Sequence, residues 1–488
     1  MRTLIIYLFF LCVSFAGCSD FLKEDPNGLV VGTSAISNVQ GLDAALTGTY
    51  KGLLRTWARG FLTNGSLQGT TMGADDLTTL TSGNKQMYRQ FDQFNVTNLN
   101  NISLQIWNGC YKTIQGANNV IDHYKGITGD QNKIKQIAGE AYFLRGLSYY
   151  WLVREYGRIP LITTSEYSES LLSIQKSELA AIYDYIVNDL LTAEEMLGNV
   201  KRDPGRPNKG SATAQLADVY LTMAGWPIKD ATKYALAAAK AKDVIDNKAA
   251  YGFELVPEID TLWSGAASAI GTSEEVMSFH SSDLYGGSGN AFWAVSGTPG
   301  EAGGWDDYFA EIGFFNRFPA GKRKDATFLT QWKSASSGAM ILWQNSTALH
   351  PYFKKFGTKK GNYISNMPVH IIRYAHVLLT YAEAQAQSAG NANTSAYDAL
   401  NAVRTRAGLT PLSGLSNDAF VKAVIDERAW EFAGEWTRWF DLVRLEMVES
   451  ANALSNKDAN DLKPIGIITK ANYTFPIPYN DSNINSNL

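Results

Sequence analysis

Disulfide chemistry has almost no material here: three cysteines, Cys12, Cys18 and Cys110, are scattered through 488 residues. A secreted domain that relied on bridges would carry an even, regularly spaced set, and a chain this long buries enough core to fold without them. Histidine is equally sparse. His123, His280, His350, His370 and His376 are dispersed, and the last two stand six apart with no glutamate between them. That spacing misses a common helix face and the zinc-protease arrangement, so no metal is expected. Charge of one sign is lacking as well. Lys and Arg number 43 against 47 Asp and Glu, a net charge of −4, which argues against the basic face that nucleic acid requires. No G-x-S-x-G elbow occurs, and Gly286-Gly287-Ser288-Gly289 lacks the Lys-Ser/Thr and the helix of a phosphate loop. Neither catalytic machinery nor a cofactor is expected. Beyond residue 15 no apolar run approaches the length of a membrane-spanning helix.

What is present is an ordinary globular balance, 45% hydrophobic and 18% charged, with a large aromatic share of 12%. It is preceded by an export segment. Arg2 gives a short positive start, Leu4 to Phe15 form an apolar run, and Ala16-Gly17-Cys18 supplies small residues at its end, the plan of a signal peptide over 1–17. Phe15-Ala16-Gly17-Cys18 resembles a bacterial lipobox, with Phe in place of the usual aliphatic residue. On that reading Cys18 is the lipidated first residue of the mature chain, and Cys110 is left without a partner. Each buried acyl CH₂ contributes about 0.8 kcal/mol, so several chains together make a durable anchor. The polar stretch Ser19 to Pro26 suits a tether over 18–30.

Helical periodicity dominates the rest. Ile137, Ala141, Leu144, Ser148, Trp151 and Leu152 recur at helical spacing ahead of Pro160. A second helix is expected over roughly Ser211 to Ala224, ended by Gly225 and Pro227, and a third, alanine-rich, over Asp230 to Asp246. Leu216-Ala217, the turn at Ala224-Gly225 and Tyr234 match in style Tyr381-Ala382, Ala389-Gly390 and Tyr397. Small residues within the first helix, Gly at the turn and an aromatic in the second are cues of tetratricopeptide-type hairpins. A last helix, starting near Asp418 as its cap, carries Phe420, Val424, Phe432, Trp436, Trp439 and Val443. The expected fold is mainly α: a tetratricopeptide-like helical scaffold, about 31–250 and 364–488, with a long irregular insertion over about 251–363, all within one domain over 18–488.

That insertion is rich in Gly, Ser and aromatics and has no sustained 3.6-residue period. Twelve aromatic residues lie between Tyr285 and Trp343, interleaved with Gly286, Gly287, Gly289, Gly297, Gly300, Gly303 and Gly304. Loops of such length are more often functional than incidental. A second loop-like interval, Arg59 to Asn101, holds Gly65, Gly69, Gly73, Asp75, Asp76, Asn84, Tyr88 and Arg89.

Several of these features converge. Cys18-Ser19-Asp20-Phe21-Leu22, the run Gly205 to Ala214, Arg373 through Glu383, and above all Asp426-Glu427-Arg428 with Glu431-Phe432 and Arg438 to Arg444, together with Phe475-Pro476-Ile477-Pro478, resemble the SusD/RagB family of outer-membrane nutrient-binding lipoproteins. The acidic residue after the Pro-Ile-Pro element is displaced here to Asp481. The resemblance spans the mature chain. It implies a lipid-anchored protein of the cell outer membrane, facing the exterior, that captures oligosaccharide or polysaccharide and delivers it to a SusC-like TonB-dependent transporter. A relative that captures oligopeptides is the alternative, and a surface glycoside hydrolase working through Glu431 or Asp441 a more distant one.

Pyranose rings present an apolar C–H face and a rim of hydroxyls, which indoles and phenols match by dispersion while Asp, Asn and Arg bond the rim. Trp293, Trp305, Tyr308 and Trp332 are accordingly the expected ring platforms. The resemblance also implies a short N-terminal loop meeting a central loop over the ligand, which makes Asp76, Asn84, Tyr88 and Arg89 the polar candidates. Phe314, Phe315 and Phe318 are expected to fill core. Glu427, Arg428, Glu431, Arg438, Asp441 and Arg444, spaced by threes and fours, read as intrahelical ion pairs rather than as a catalytic set.

Overall fold

The computed structural model describes residues 36–53, 66–264, 269–280, 290–291, 293–356, 364–365 and 368–488. The leader, Cys18, the tether and Gly286 to Gly289 lie outside them. Ten helices of eight residues or more run through the described residues: α1 (Val39–Leu53), α2 (Asn101–His123), α3 (Gln131–Tyr156), α4 (Leu179–Met196), α5 (Lys209–Ala224), α6 (Lys233–Asp246), α7 (Tyr374–Ala389), α8 (Thr394–Arg406), α9 (Asn417–Glu431) and α10 (Thr437–Arg444). Each of the first six packs on its neighbour in sequence, and α7 packs on α6, α8 and α9. The helical hairpins therefore form one continuous row, which the insertion interrupts in sequence but not in space. Helix α3 is buried around most of its circumference, as suits the middle of a core.

The ends of these helices follow from local chemistry. The Asn100 side chain accepts from the Ile102 and Ser103 amides at 2.9 and 3.2 Å to start α2. At α5, Asn208 Oδ1 accepts from the Ser211 amide at 2.9 Å while Ser211 Oγ accepts from the Asn208 amide at 3.2 Å, a reciprocal capping box. Gly225 ends that helix where α10 crosses closely: a Cβ there would lie 2.3 Å from the Arg444 carbonyl oxygen, to which the Trp226 amide donates at 2.9 Å.

Among the described residues ten short strands pair two by two, all antiparallel: β1 (Leu77–Thr78) with β4 (Phe309–Ala310), β2 (Glu275–Phe279) with β10 (Val369–Arg373), β3 (Asn290–Ala291) with β9 (Ile364–Ser365), β5 (Phe328–Leu329) with β8 (Tyr352–Phe353), and β6 (Gln331–Lys333) with β7 (Met340–Leu342). Four of the five pairs are nested inside one another, so the insertion leaves along β2 and returns beside it along β10. That nesting is why α7 can resume the helical row next to α6. Most apolar residues join one core, and Phe309, Trp332, Ala348 and Tyr352 form a small second cluster beneath the insertion. Phe314 and Phe318 are buried in the main core, with Phe315 packed at its edge.

The last helix departs from expectation in two ways. Its cap is Ser416, whose Oγ accepts from the Ala419 amide at 3.4 Å, and Asp418 sits in the first turn. The single helix expected through Val443 is broken at 432–436, where Gly434 and Trp436 take φ of 76° and 53°. The break swings Glu435 into a buried ion network. Arg323 Nη1 reaches Glu427 at 2.5 Å and Glu431 at 3.1 Å. Arg373 reaches Glu431 at 3.0 Å and Glu435 at 2.9 Å, and also pairs with Glu274. Arg406 holds Glu274 at 2.6 Å and Glu431 at 2.5 Å, and Lys355 holds Glu435 at 2.5 Å. Arg428 bonds Asp441 at 2.8 Å, and Arg444 joins Asp441 to Glu383. The intrahelical reading is thus corrected. Apart from Asp441–Arg444, these pairs tie different elements together, and through Arg323 and Lys355 they fasten the insertion to α9.

Candidate functional site

Where the segment 79–85 meets the segment 300–308, the β1–β4 pairing brings their backbones together and two side chains lock them. Thr79 Oγ1 donates to the Asp307 carbonyl oxygen at 2.7 Å. Lys85, only 5% exposed, donates to the Trp305 carbonyl oxygen at 2.6 Å and forms a short ion pair with the Asp307 carboxylate. The Tyr352 hydroxyl donates to Asp306 Oδ1 at 2.5 Å, pinning the same loop to β8. Held this way, Trp305 presents its side chain to solvent at 37% exposure.

Around it lie polar and apolar groups on fixed backbone. Asn84 is exposed and its Oδ1 accepts from Ser82 Oγ at 2.9 Å. Arg89 is half-buried and donates to the Leu80 carbonyl oxygen at 3.3 Å and to that of Ser82, so it braces the 80–84 turn. The β6–β7 hairpin alternates as a strand pair should. Trp332 and Ile341, paired in register, face the small cluster, while Gln331, Lys333, Met340 and Leu342 face out. The hairpin is tied to the Trp305 loop through Glu301, whose carbonyl oxygen accepts from the Ala335 amide at 2.7 Å and whose carboxylate accepts from the Thr347 amide at 2.6 Å.

Four expected contacts to ligand are corrected by burial. Tyr308 is wholly buried, with a Gly297 that has no room for a Cβ against its ring. Trp332 is 5% exposed and packs edge-on to Tyr352 at 5.2 Å, because β6 alternation turns it inward between two solvent-facing polar residues. Tyr88 is buried in the main core. Asp76 is buried and accepts from the Gly434 amide at 2.8 Å, serving the α9–α10 break; burial pushes its carboxyl up to about 7. Trp293 opens a one-turn helix, Trp293–Ser296, and its side chain lies outside the described residues. Of the eight expected residues, Trp305, Asn84 and Arg89 are gathered on one accessible stretch. Lys85, Asp307 and Glu301, which hold that stretch, were not anticipated: no spacing in the sequence marks them.

The two carboxylates considered for hydrolysis are committed elsewhere. Burial alone would raise the Glu431 carboxyl, but the guanidinium groups of Arg406, Arg373 and Arg323 outweigh it and hold it at about 2. Asp441 is likewise kept low against its burial by Arg428 and Arg444. Such groups are ion-pair partners and not proton donors near neutral pH. Among the described residues no cluster of three or more His, Cys, Asp or Glu is arranged to hold a metal ion, and no helix is long and apolar enough to cross a membrane.

The row of helical hairpins with a nested, loop-rich insertion is an architecture seen in other proteins. A sequence profile described as "SusD family" matches residues 311–488, and one described as "Starch-binding associating with outer membrane" matches residues 23–221. The chain is 30% identical to SusD-like protein P2 of Formosa agariphila over 98% of this chain and 97% of that one. It therefore belongs to the SusD family. Its fold superposes on a SusD superfamily protein of Parabacteroides distasonis with a TM-score of 0.79 at 25% identity, covering 92% and 97% of the two chains. It also superposes on surface glycan-binding protein A of Bacteroides fluxus with a TM-score of 0.76 at 23% identity, again over 92% and 97%.

Proposed function

We propose that this protein binds oligosaccharide on the loop-rich surface around Trp305, and that it is a lipid-anchored outer-membrane protein that hands the sugar to a SusC-like TonB-dependent transporter. The observation that carries the reading is the pairing of an exposed indole with a rigid mount. The Trp305 loop is held from below by Lys85, Asp307 and Tyr352, so the half-exposed indole sits on a backbone that need not be ordered first. Asn84 supplies an amide for ring hydroxyls, and Arg89 supports the turn that carries it. The glycan-binding neighbour of like fold and the starch-binding family description support a carbohydrate ligand. Binding of this kind needs no general acid, which accords with the ion-paired state of Glu431 and Asp441.

Cys18 is the proposed lipidation site, so Cys18→Ala should release the protein from the membrane, and gentle detergent extraction of the wild type should recover a large β-barrel with it. The binding reading is tested by calorimetric screening of the soluble chain, beginning at Ser19, against a broad panel of polysaccharides and their oligomers. Saturable binding to at least one glycan is expected, and a panel with no binder overturns the reading.

A further inference from the structure

A cleft of about 780 Å³ lies between the C-terminal strap, residues 474–477, the end of α3, the start of α4 and helix α10. Its volume falls within the ordinary range for small-molecule sites. It shares no lining residue with the Trp305 surface. Leu179, Tyr183, Trp226, Phe440, Val443 and Phe475 give it apolar walls.

The charged side chains that line it are all basic. No aspartate or glutamate side chain lines it, whereas Arg154, Arg158, Lys176 and Arg444 do. Arg444 is saturated by Glu383 and Asp441. Arg158 pairs only at the surface, with Glu178 at 2.6 Å where both side chains are well exposed. Lys176 has no ion pair among the described residues. Arg154 is the most unusual of the four. It is half-buried, its guanidinium carbon sits 3.8 Å from the ring centroids of both Tyr150 and Phe440, and its Nε donates to the Tyr150 carbonyl oxygen at 3.2 Å. Neither terminal nitrogen meets a carboxylate among the described residues. A guanidinium stacked on rings keeps its charge and its in-plane N–H donors, which suit a planar oxyanion in fork geometry.

We propose that this cleft is a second binding site, for a small amphipathic carboxylate whose apolar body lies against Phe440 and Val443 and whose anionic group meets Arg154. The inference does not depend on glycan binding at Trp305. It is tested with 2-naphthoate as the probe, titrated calorimetrically into the soluble chain, with uncharged 2-naphthylmethanol as the comparison. The expected result is saturable one-to-one binding of the naphthoate, at least about tenfold weaker for the alcohol and for Arg154→Met, a loss in keeping with a charge-assisted hydrogen bond. Leu179→Trp, which fills the cleft and leaves Arg154 in place, is expected to block the naphthoate as well, and this variant decides the matter if Arg154→Met fails to fold. Trp305→Ala should leave naphthoate binding unchanged. The proposal is overturned if no saturable binding is seen, if the alcohol binds as well as the acid, or if both cleft variants that fold bind like the wild type.

Discussion

Arg373 and Glu431, 58 residues apart in the chain, meet at 3.0 Å with both side chains wholly excluded from solvent. The contact joins β10, where the insertion rejoins the scaffold, to the end of α9. Around it Arg323, Arg406, Lys355, Glu274, Glu427 and Glu435 complete a buried network of alternating charge, so the loop-rich region rests on an electrostatic mount. Breaking one member of such a network is costly because its partners stay buried and unpaired.

Glu431→Gln is expected to lower unfolding free energy at pH 7 by about 3–5 kcal/mol, measured by urea denaturation. The pH dependence has a definite sign. The folded carboxyl is held at about 2, below its ordinary value, so its contribution is present above about pH 4.3 and is lost as pH falls toward 2. The gap between variant and wild type should therefore narrow in acid.

Glu155 runs the other way. It is wholly buried in α3, and burial pushes its carboxyl up to about 8. The folded protein keeps this proton where the unfolded chain has given it up, so stability falls as pH rises from about 4.3 to 8, by about 1.4 kcal/mol per unit of separation. Glu155→Gln should flatten that slope and raise the midpoint of thermal unfolding at pH 8 relative to wild type. An unchanged slope would show that the carboxyl is ionised throughout.

The two tryptophans of the loop-rich face should separate cleanly by stability. Trp332→Ala empties part of the small core over β6 and is expected to cost about 3–5 kcal/mol. Trp305→Ala should cost clearly less, since Trp305 is 37% exposed against 5% for Trp332. Chemical denaturation of both variants gives the comparison.

Lys85→Met removes the clamp on the Trp305 carbonyl and strands the Asp307 carboxylate. Faster amide hydrogen exchange is expected across residues 300–308, with little change in the helical hairpins, because the loss is local to the insertion.

The helical row was legible because its apolar residues recur at the helical period over long stretches, and Gly225 and Gly390 mark turns by their own chemistry. The ion network was visible only as a dense charged string. Several of its true partners stand on other elements 58 to 108 residues away, such as Arg373 and Arg323 to Glu431, and no spacing along one helix reports them. The break between α9 and α10 had its signal in Gly434, overridden by the strong apolar pattern on either side. Trp332 was misread for a related reason: Gln331-Trp332-Lys333 alternates polar, apolar, polar, which turns the indole inward, but three residues are too short a run to stand out among so many aromatics. Trp305 carried no pattern at all. Its exposure depends on Lys85 and Tyr352, contacts made only in the folded chain.

The central claim, that a rigidly mounted Trp305 is the platform for sugar, is met most directly by paired calorimetric titrations of wild type and Trp305→Ala with the tightest-binding oligosaccharide from the panel. The account predicts at least about a tenfold loss of affinity, in line with the loss of one aromatic contact at a binding hot spot, with unfolding unchanged. Equal affinity in the two proteins would contradict it.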